Sequence, residues 1–135
     1  MKLTVASEER GPLLISEAIN PAENLTDKSF HDWYHQIYIK EVAQTKGWRR
    51  TTRFQNTMAR NGTGGGSGRW LALHEFEDGA FESSGKGIAS LLGQSKETKQ
   101  VQDTAKGIDI APFKLARQYG NTTVPWGDIG GEKII

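Results

Sequence analysis

Two short stretches carry side chains with the makings of acid–base chemistry. His74 lies in the middle of RWLALHEFE, and Tyr34, Tyr38 and Glu41 recur along FHDWYHQIYIKEV. A histidine titrates near neutral pH without special arrangement, so His74 is the first choice for moving a proton. A phenol lining a pocket donates a hydrogen bond to a developing enolate or carboxylate oxygen, the role open to Tyr34 and Tyr38. A carboxylate set among apolar residues makes a base suited to neutral pH, the role open to Glu41. Each also has a plain structural use. A core histidine can bond a backbone carbonyl, a buried phenol needs only some partner, and Glu41 can pair with an arginine at the helix end.

The elements that must position these groups follow from spacing. Thr26 or Asp27 can cap a helix that runs to about Lys46, where Gly47 supplies a stop. At about 100° per residue, Phe30, Trp33, Tyr34, Ile37, Tyr38 and Glu41 fall on one stripe, with His31 and His35 at its flank. Trp33 lies on that stripe, and His35 borders the mouth of any pocket beneath it. PLLISEAIN predicts a first strand over Leu13 to Ile19, stopped by Pro21, with Glu17 on the same face as Leu13, Ile15 and Ile19. WRRTTRFQNT, from Trp48 to Thr57, reads as a second strand. Alternation puts Arg49 and Arg53 on one face of it and Arg50 on the other. Any of the three has the fork geometry to clamp a substrate carboxylate, and Arg53 is carried forward.

Arg69 to Glu77 is the clearest strand: Trp70, Ala72, His74 and Phe76 point one way and Leu71, Leu73 and Glu75 the other. Asp78 to Lys106 predicts helix in pieces. Ile108 to Tyr119 predicts a last strand whose Pro112 argues for an edge or a bulge. ARNGTGGGSG, before Arg69, lacks the Lys-Ser/Thr ending and the glycine spacing of a phosphate loop and reads as a hairpin loop. The order β, α, β, β, α, β is that of a ferredoxin-like α+β fold with a four-stranded antiparallel sheet. The strand around His74 is apolar on both faces, whereas helices on one side should leave polar residues on the other. A homodimer with two sheets facing each other accounts for that, and the expectation is a dimeric α+β barrel.

Length and charge narrow the function. A chain of 135 residues with 36% apolar content suits one domain, with a core over residues 12–119 and a tail over 120–135. Seventeen basic residues against 16 acidic give a net charge of +1, which calls for no nucleic-acid partner. No apolar run approaches the roughly 20 residues of a membrane span, and no signal-like run opens the chain, so the expected address is cytoplasmic. The sequons at Asn24, Asn61 and Asn121 matter only in a secreted chain. Cysteine is absent. His31 and His35 have the spacing of a metal pair, but neither a third ligand nor a His-Glu-x-x-His pattern accompanies them, and no axial haem histidine can be assigned. No cofactor is expected.

Phe30-His-Asp-Trp33-Tyr34, then Gly47-Trp48 leading to Arg53-Phe54, then Trp70-Leu-Ala-Leu-His74-Glu-Phe76-Glu resembles the EthD-like branch of dimeric α+β barrel proteins, over roughly Pro12 to Tyr119. The likeness rests on order and spacing. It implies a dimeric barrel without metal or organic cofactor, with a pocket between sheet and helices. Relatives include decarboxylases and cyclases of aromatic polyketide pathways, quinone-forming monooxygenases and stress-responsive proteins. The family commonly carries a Glu-His pair where this chain has Ile37 and Tyr38, so Tyr38 occupies the place of that histidine. Together these readings give catalytic candidates His74, Tyr38, Tyr34 and Glu41, and substrate-binding candidates Trp33, His35, Arg53, Trp70, Phe76 and Glu17. The expected activity is decarboxylation, or enolisation with ring closure, of a hydrophobic aromatic or polyketide-like substrate. The alternatives are a cofactor-free monooxygenase and a non-catalytic dimer that binds a hydrophobic ligand.

Overall fold

The computed structural model describes residues 3–7, 13–57, 69–77 and 95–121. Six strands lie among them: β1 (Leu3–Ser7), β2 (Leu13–Asn20), β3 (Trp48–Gln55), β4 (Trp70–Phe76), β5 (Gly107–Lys114) and β6 (Gln118–Asn121). Four of them form an antiparallel sheet in the order β3-β4-β2-β5. The helical segments are α1 (Asp27–Trp33), a π-helical turn (Tyr34–Tyr38), α2 (Ile39–Ala43) and α3 (Lys96–Thr104). This is the split βαββαβ arrangement of a ferredoxin-like α+β fold. Pro112 lies in β5, an edge strand bonded only to β2 in this sheet, where a missing N–H is tolerated.

Helices and sheet meet over one face. Leu13, Ile15 and Ile19 of β2 and Ala72 and Phe76 of β4 are buried with Phe30, Trp33, Tyr34, Tyr38, Ile39 and Val42 of the first helix. Val101 and Ala105, from and just after α3, pack against the same cluster. On the opposite face alternation sets Leu14, Ala18, Phe54, Leu71, Leu73, Ala111 and Phe113. There Phe54 is 46% exposed and Phe113 54% exposed.

Thr26 caps α1, its hydroxyl oxygen accepting from the Ser29 N–H at 3.1 Å. The helix then departs from the regular stripe. The Ile39 N–H reaches back five residues to the Tyr34 carbonyl, and this wider turn slips the inward face by one position. Tyr38, Ile39 and Val42 are buried in consequence, while Ile37 and Glu41 are only partly covered. Glu41 therefore leaves the centre of the stripe on which even spacing put it. The last turn ends at Ala43 rather than near Lys46, and Gly47, at φ 89°, reverses the chain into β3.

The strands depart from the sequence reading in two further places. A bulge between Trp48 and Arg50 turns Arg49 away from the Arg53 face, so that both Arg49 and Arg50 pair with Glu75, at 3.5 and 3.0 Å. The last predicted strand is two: β5 stops at Lys114, and β6 pairs with β1, a strand the sequence reading had left out. The predicted helical pieces over 78–94, the Gly-rich loop over 59–68 and the tail beyond Asn121 lie outside the described residues. No described helix is long and apolar enough to cross a membrane.

Candidate active site

Glu17 is a carboxylate on the central strand of the sheet, 2% exposed. The Tyr38 hydroxyl donates to both of its oxygens, each at 2.9 Å. His74 Nε2 lies 2.9 Å from Oε1. Strand register brings His74 there: it faces Ile15 on β2, two pairs along from the Glu17–Ala72 pair and so on the same face. On its other side Thr51, directly opposite on β3, places its hydroxyl 2.8 Å from His74 Nδ1. The Trp48 indole N–H donates to the same hydroxyl at 3.0 Å.

Hydrogen-bond accounting places one proton of this chain. An ionised Glu17 only accepts, so His74 Nε2 carries a proton toward it. Nδ1 meets the Thr51 hydroxyl, whose oxygen is held by the Trp48 indole N–H. Burial, and next the Glu17 charge, push the Tyr38 phenol well above its ordinary value, so it stays a donor at neutral pH.

Glu17 also lines a crevice with Ile19, Trp33, Tyr34, Arg53, Trp70, Leu71 and Ala72, enclosing about 220 Å³ that includes solvent at its mouth. It is narrow along its length, with no room for a water molecule, so a guest has to part its walls. Arg53, Ala72 and Glu17 are register partners in one row across β3, β4 and β2. The small Ala72 thus makes a floor between a cation and a carboxylate. The Arg53 guanidinium lies over the Tyr34 ring at 3.8 Å and bonds His31 Nδ1 at 3.1 Å. Burial, and next the Glu17 charge, push the Tyr34 phenol well above its ordinary value, with Arg53 opposing. Burial holds Arg53 below its ordinary value, partly offset by Tyr34 and Glu17. Burial and then Arg53 do the same to His31.

The predicted residues thus divide. Glu17, Trp33, Tyr34, Arg53 and Trp70 line the crevice. His74 and Tyr38 are fully buried behind Glu17 and reach the crevice only through it. Phe76 is wholly in the core, and His35 is exposed. Glu41 belongs to a second polar cluster, where its Oε1 accepts from the Ser95 hydroxyl and from Thr98 Oγ1 at 3.0 Å. Thr98 in turn takes the Trp33 indole N–H at 3.2 Å, so this cluster locks a wall of the crevice from behind. Among the described residues no group of three or more His, Cys, Asp or Glu is placed to hold a metal ion. Thr51, Ser95 and Thr98 were not singled out from sequence. The signal for Thr51 was its alternation with Arg53, which makes it share the His74 face; nothing local marked Ser95 or Thr98.

No protein-family model matches the chain, and no curated protein matches it. The crystal structure of protein SO0527 from Shewanella oneidensis is similar over 87% of this chain and 98% of that chain, at 10% identity and a TM-score of 0.48.

The tautomer is directly observable. Nitrogen-15 spectra of the histidine rings are expected to show His74 protonated at Nε2. Thr51→Val should shift both the His74 Nδ1 and the Trp48 indole resonances and lower the unfolding free energy by about 1–3 kcal/mol, with Thr51→Ser restoring both signals. A wild-type ring protonated only at Nδ1 would contradict the assignment.

Proposed function

We propose that the protein is a cofactor-independent enzyme moving protons on a flat hydrophobic substrate of the aromatic or polyketide type, in natural-product biosynthesis in the cytoplasm. The reaction is decarboxylation or enolisation with ring closure. One observation carries this reading: a carboxylate buried at 2% exposure and hydrogen-bonded from behind by Tyr38 and His74 lines a crevice it shares with an arginine and a phenol that has no partner among the described residues. Glu17 is the group that meets substrate. It takes a proton from carbon, and Tyr34 donates to the oxygen on which charge develops. Tyr38 and His74 act through Glu17 as positioning residues, His74 holding its proton on the Glu17 side. Trp33 and Trp70 provide flat walls.

The same reading includes a homodimer. Leu14, Leu71, Leu73, Phe54 and Phe113 make an apolar sheet face opposite the helices, and a second copy laid on it would remove that area from water. Sedimentation equilibrium should give the mass of two chains, and that of one chain after Leu73→Arg. A wild-type mass of one chain would remove the dimer from the account.

Catalysis is tested with a panel of flat enolisable ketones and aromatic keto acids in D2O, following deuterium incorporation and carbon dioxide release by NMR. The wild type should exchange or decarboxylate at least one compound. Glu17→Gln should slow that reaction at least ~100-fold, the low end for a general base, with its circular dichroism unchanged. Saturable binding with neither exchange nor carbon dioxide across the panel would make the protein a hydrophobic-ligand binder and not an enzyme.

A further inference from the structure

Two hydrogen-bond donors without an acceptor among the described residues line the crevice, beside a cation without a carboxylate. The Tyr34 hydroxyl and the Trp70 indole N–H are both buried and unpartnered among the described residues, and both residues line the crevice. The cation is the guanidinium of Arg53, only partly exposed. Its contacts are His31 Nδ1 and the rings of Tyr34, Phe30 and Trp70, at 3.8, 5.7 and 6.0 Å from its central carbon. Among the described residues no carboxylate lies within ion-pair distance of it. Burying an N–H and an O–H without acceptors beside a cation without a counter-charge is costly, and an anion arriving between them serves all three together.

The acceptor in the same crevice is already spoken for. Glu17 takes the Tyr38 hydroxyl and His74 Nε2, and it is two strands from Arg53 across Ala72. Strand spacing sets that separation at about 9–10 Å between backbones. The crevice therefore has a donor end at Arg53 and a basic end at Glu17.

We infer that the crevice binds a flat organic carboxylate head-first, the carboxylate on Arg53, Tyr34 and Trp70 and the carbon skeleton running over Ala72 toward Glu17. This rests on the reading of the crevice as the ligand site. A carboxylate held in this way is retained, because losing it as carbon dioxide would strand the two donors again and leave Arg53 without its counter-charge. The step served by this seating is proton abstraction from a carbon above Glu17: the C–H electron pair becomes the enolate, and the proton goes to the Glu17 carboxylate.

Benzoate is the probe, with benzamide as its neutral isostere, followed by nitrogen-15 resolved spectra of the indole N–H groups. Benzoate should shift the Trp70 indole signal saturably, identified by its loss in Trp70→Phe, while the Trp48 indole, bonded to Thr51, stays in place. Benzamide should bind at least ~10-fold more weakly, and both Arg53→Met and Tyr34→Phe should weaken benzoate by about tenfold or more. Equal affinity for benzamide, binding that leaves the Trp70 signal unmoved, full affinity in folded Tyr34→Phe, or no benzoate binding would each overturn the inference. The two readings fail separately. Benzoate binding with no exchange of any ketone keeps the anion seat and ends the enzyme reading, whereas exchange of neutral ketones without benzoate binding does the reverse.

Discussion

Glu17 sits on the central strand β2 at 2% exposure, and a carboxylate so placed is tolerated only when donors surround it. The geometry of the helix-facing core answers that demand. Tyr38 comes down from the helix and His74 comes across from the neighbouring strand, and both close on the one carboxylate at 2.9 Å. Neither partner is free to move: Tyr38 is stacked on Trp33 with ring centroids 4.8 Å apart, and His74 is held from its far side by Thr51. A charge held by packed and bonded neighbours keeps one orientation.

The π turn links this electrostatic demand to the helix. A regular helix would carry Ile37 inward with Tyr38 and bring Glu41 next beneath the stripe. One extra residue in the turn instead keeps Tyr38 inward and brings Ile39 and Val42 into the core in place of Ile37 and Glu41. Two consequences follow. The phenol is aimed at Glu17, and Glu41 is released to the side, where Ser95 and Thr98 at the start of α3 bind it. Through Thr98 that cluster also takes the Trp33 indole, so both helices help to set the crevice wall.

Much of this was legible in the sequence, and the gaps have physical causes. Alternation in RWLALHEFE placed His74 with Trp70, Ala72 and Phe76, and the strand order gave the ferredoxin-like fold. Glu17 stood out as a carboxylate between Ile15 and Ile19. Its position as the hub depended on cross-strand register and on a helical slip, and neither leaves a mark in local spacing. Ile37, Tyr38 and Ile39 are all apolar or aromatic, so the pattern reads equally well with or without the inserted residue. The bulge that carries Arg49 over to Glu75 is hidden in the same way by three successive strand-compatible residues. Pairing of β1 with β6 joins segments more than a hundred residues apart in the chain, beyond the reach of any local pattern.

A double-mutant cycle on Tyr38→Phe and Glu17→Gln, read by urea unfolding, bears most directly on the buried carboxylate as the organising charge. Removing the phenol hydroxyl alone takes a charge-assisted bond from the carboxylate, whereas in Glu17→Gln that bond is already reduced to a neutral one, so the two changes should be non-additive by about 0.5–3 kcal/mol. Additivity to within about 0.5 kcal/mol would contradict the account, because it would mean that the tyrosine and the carboxylate do not depend on each other.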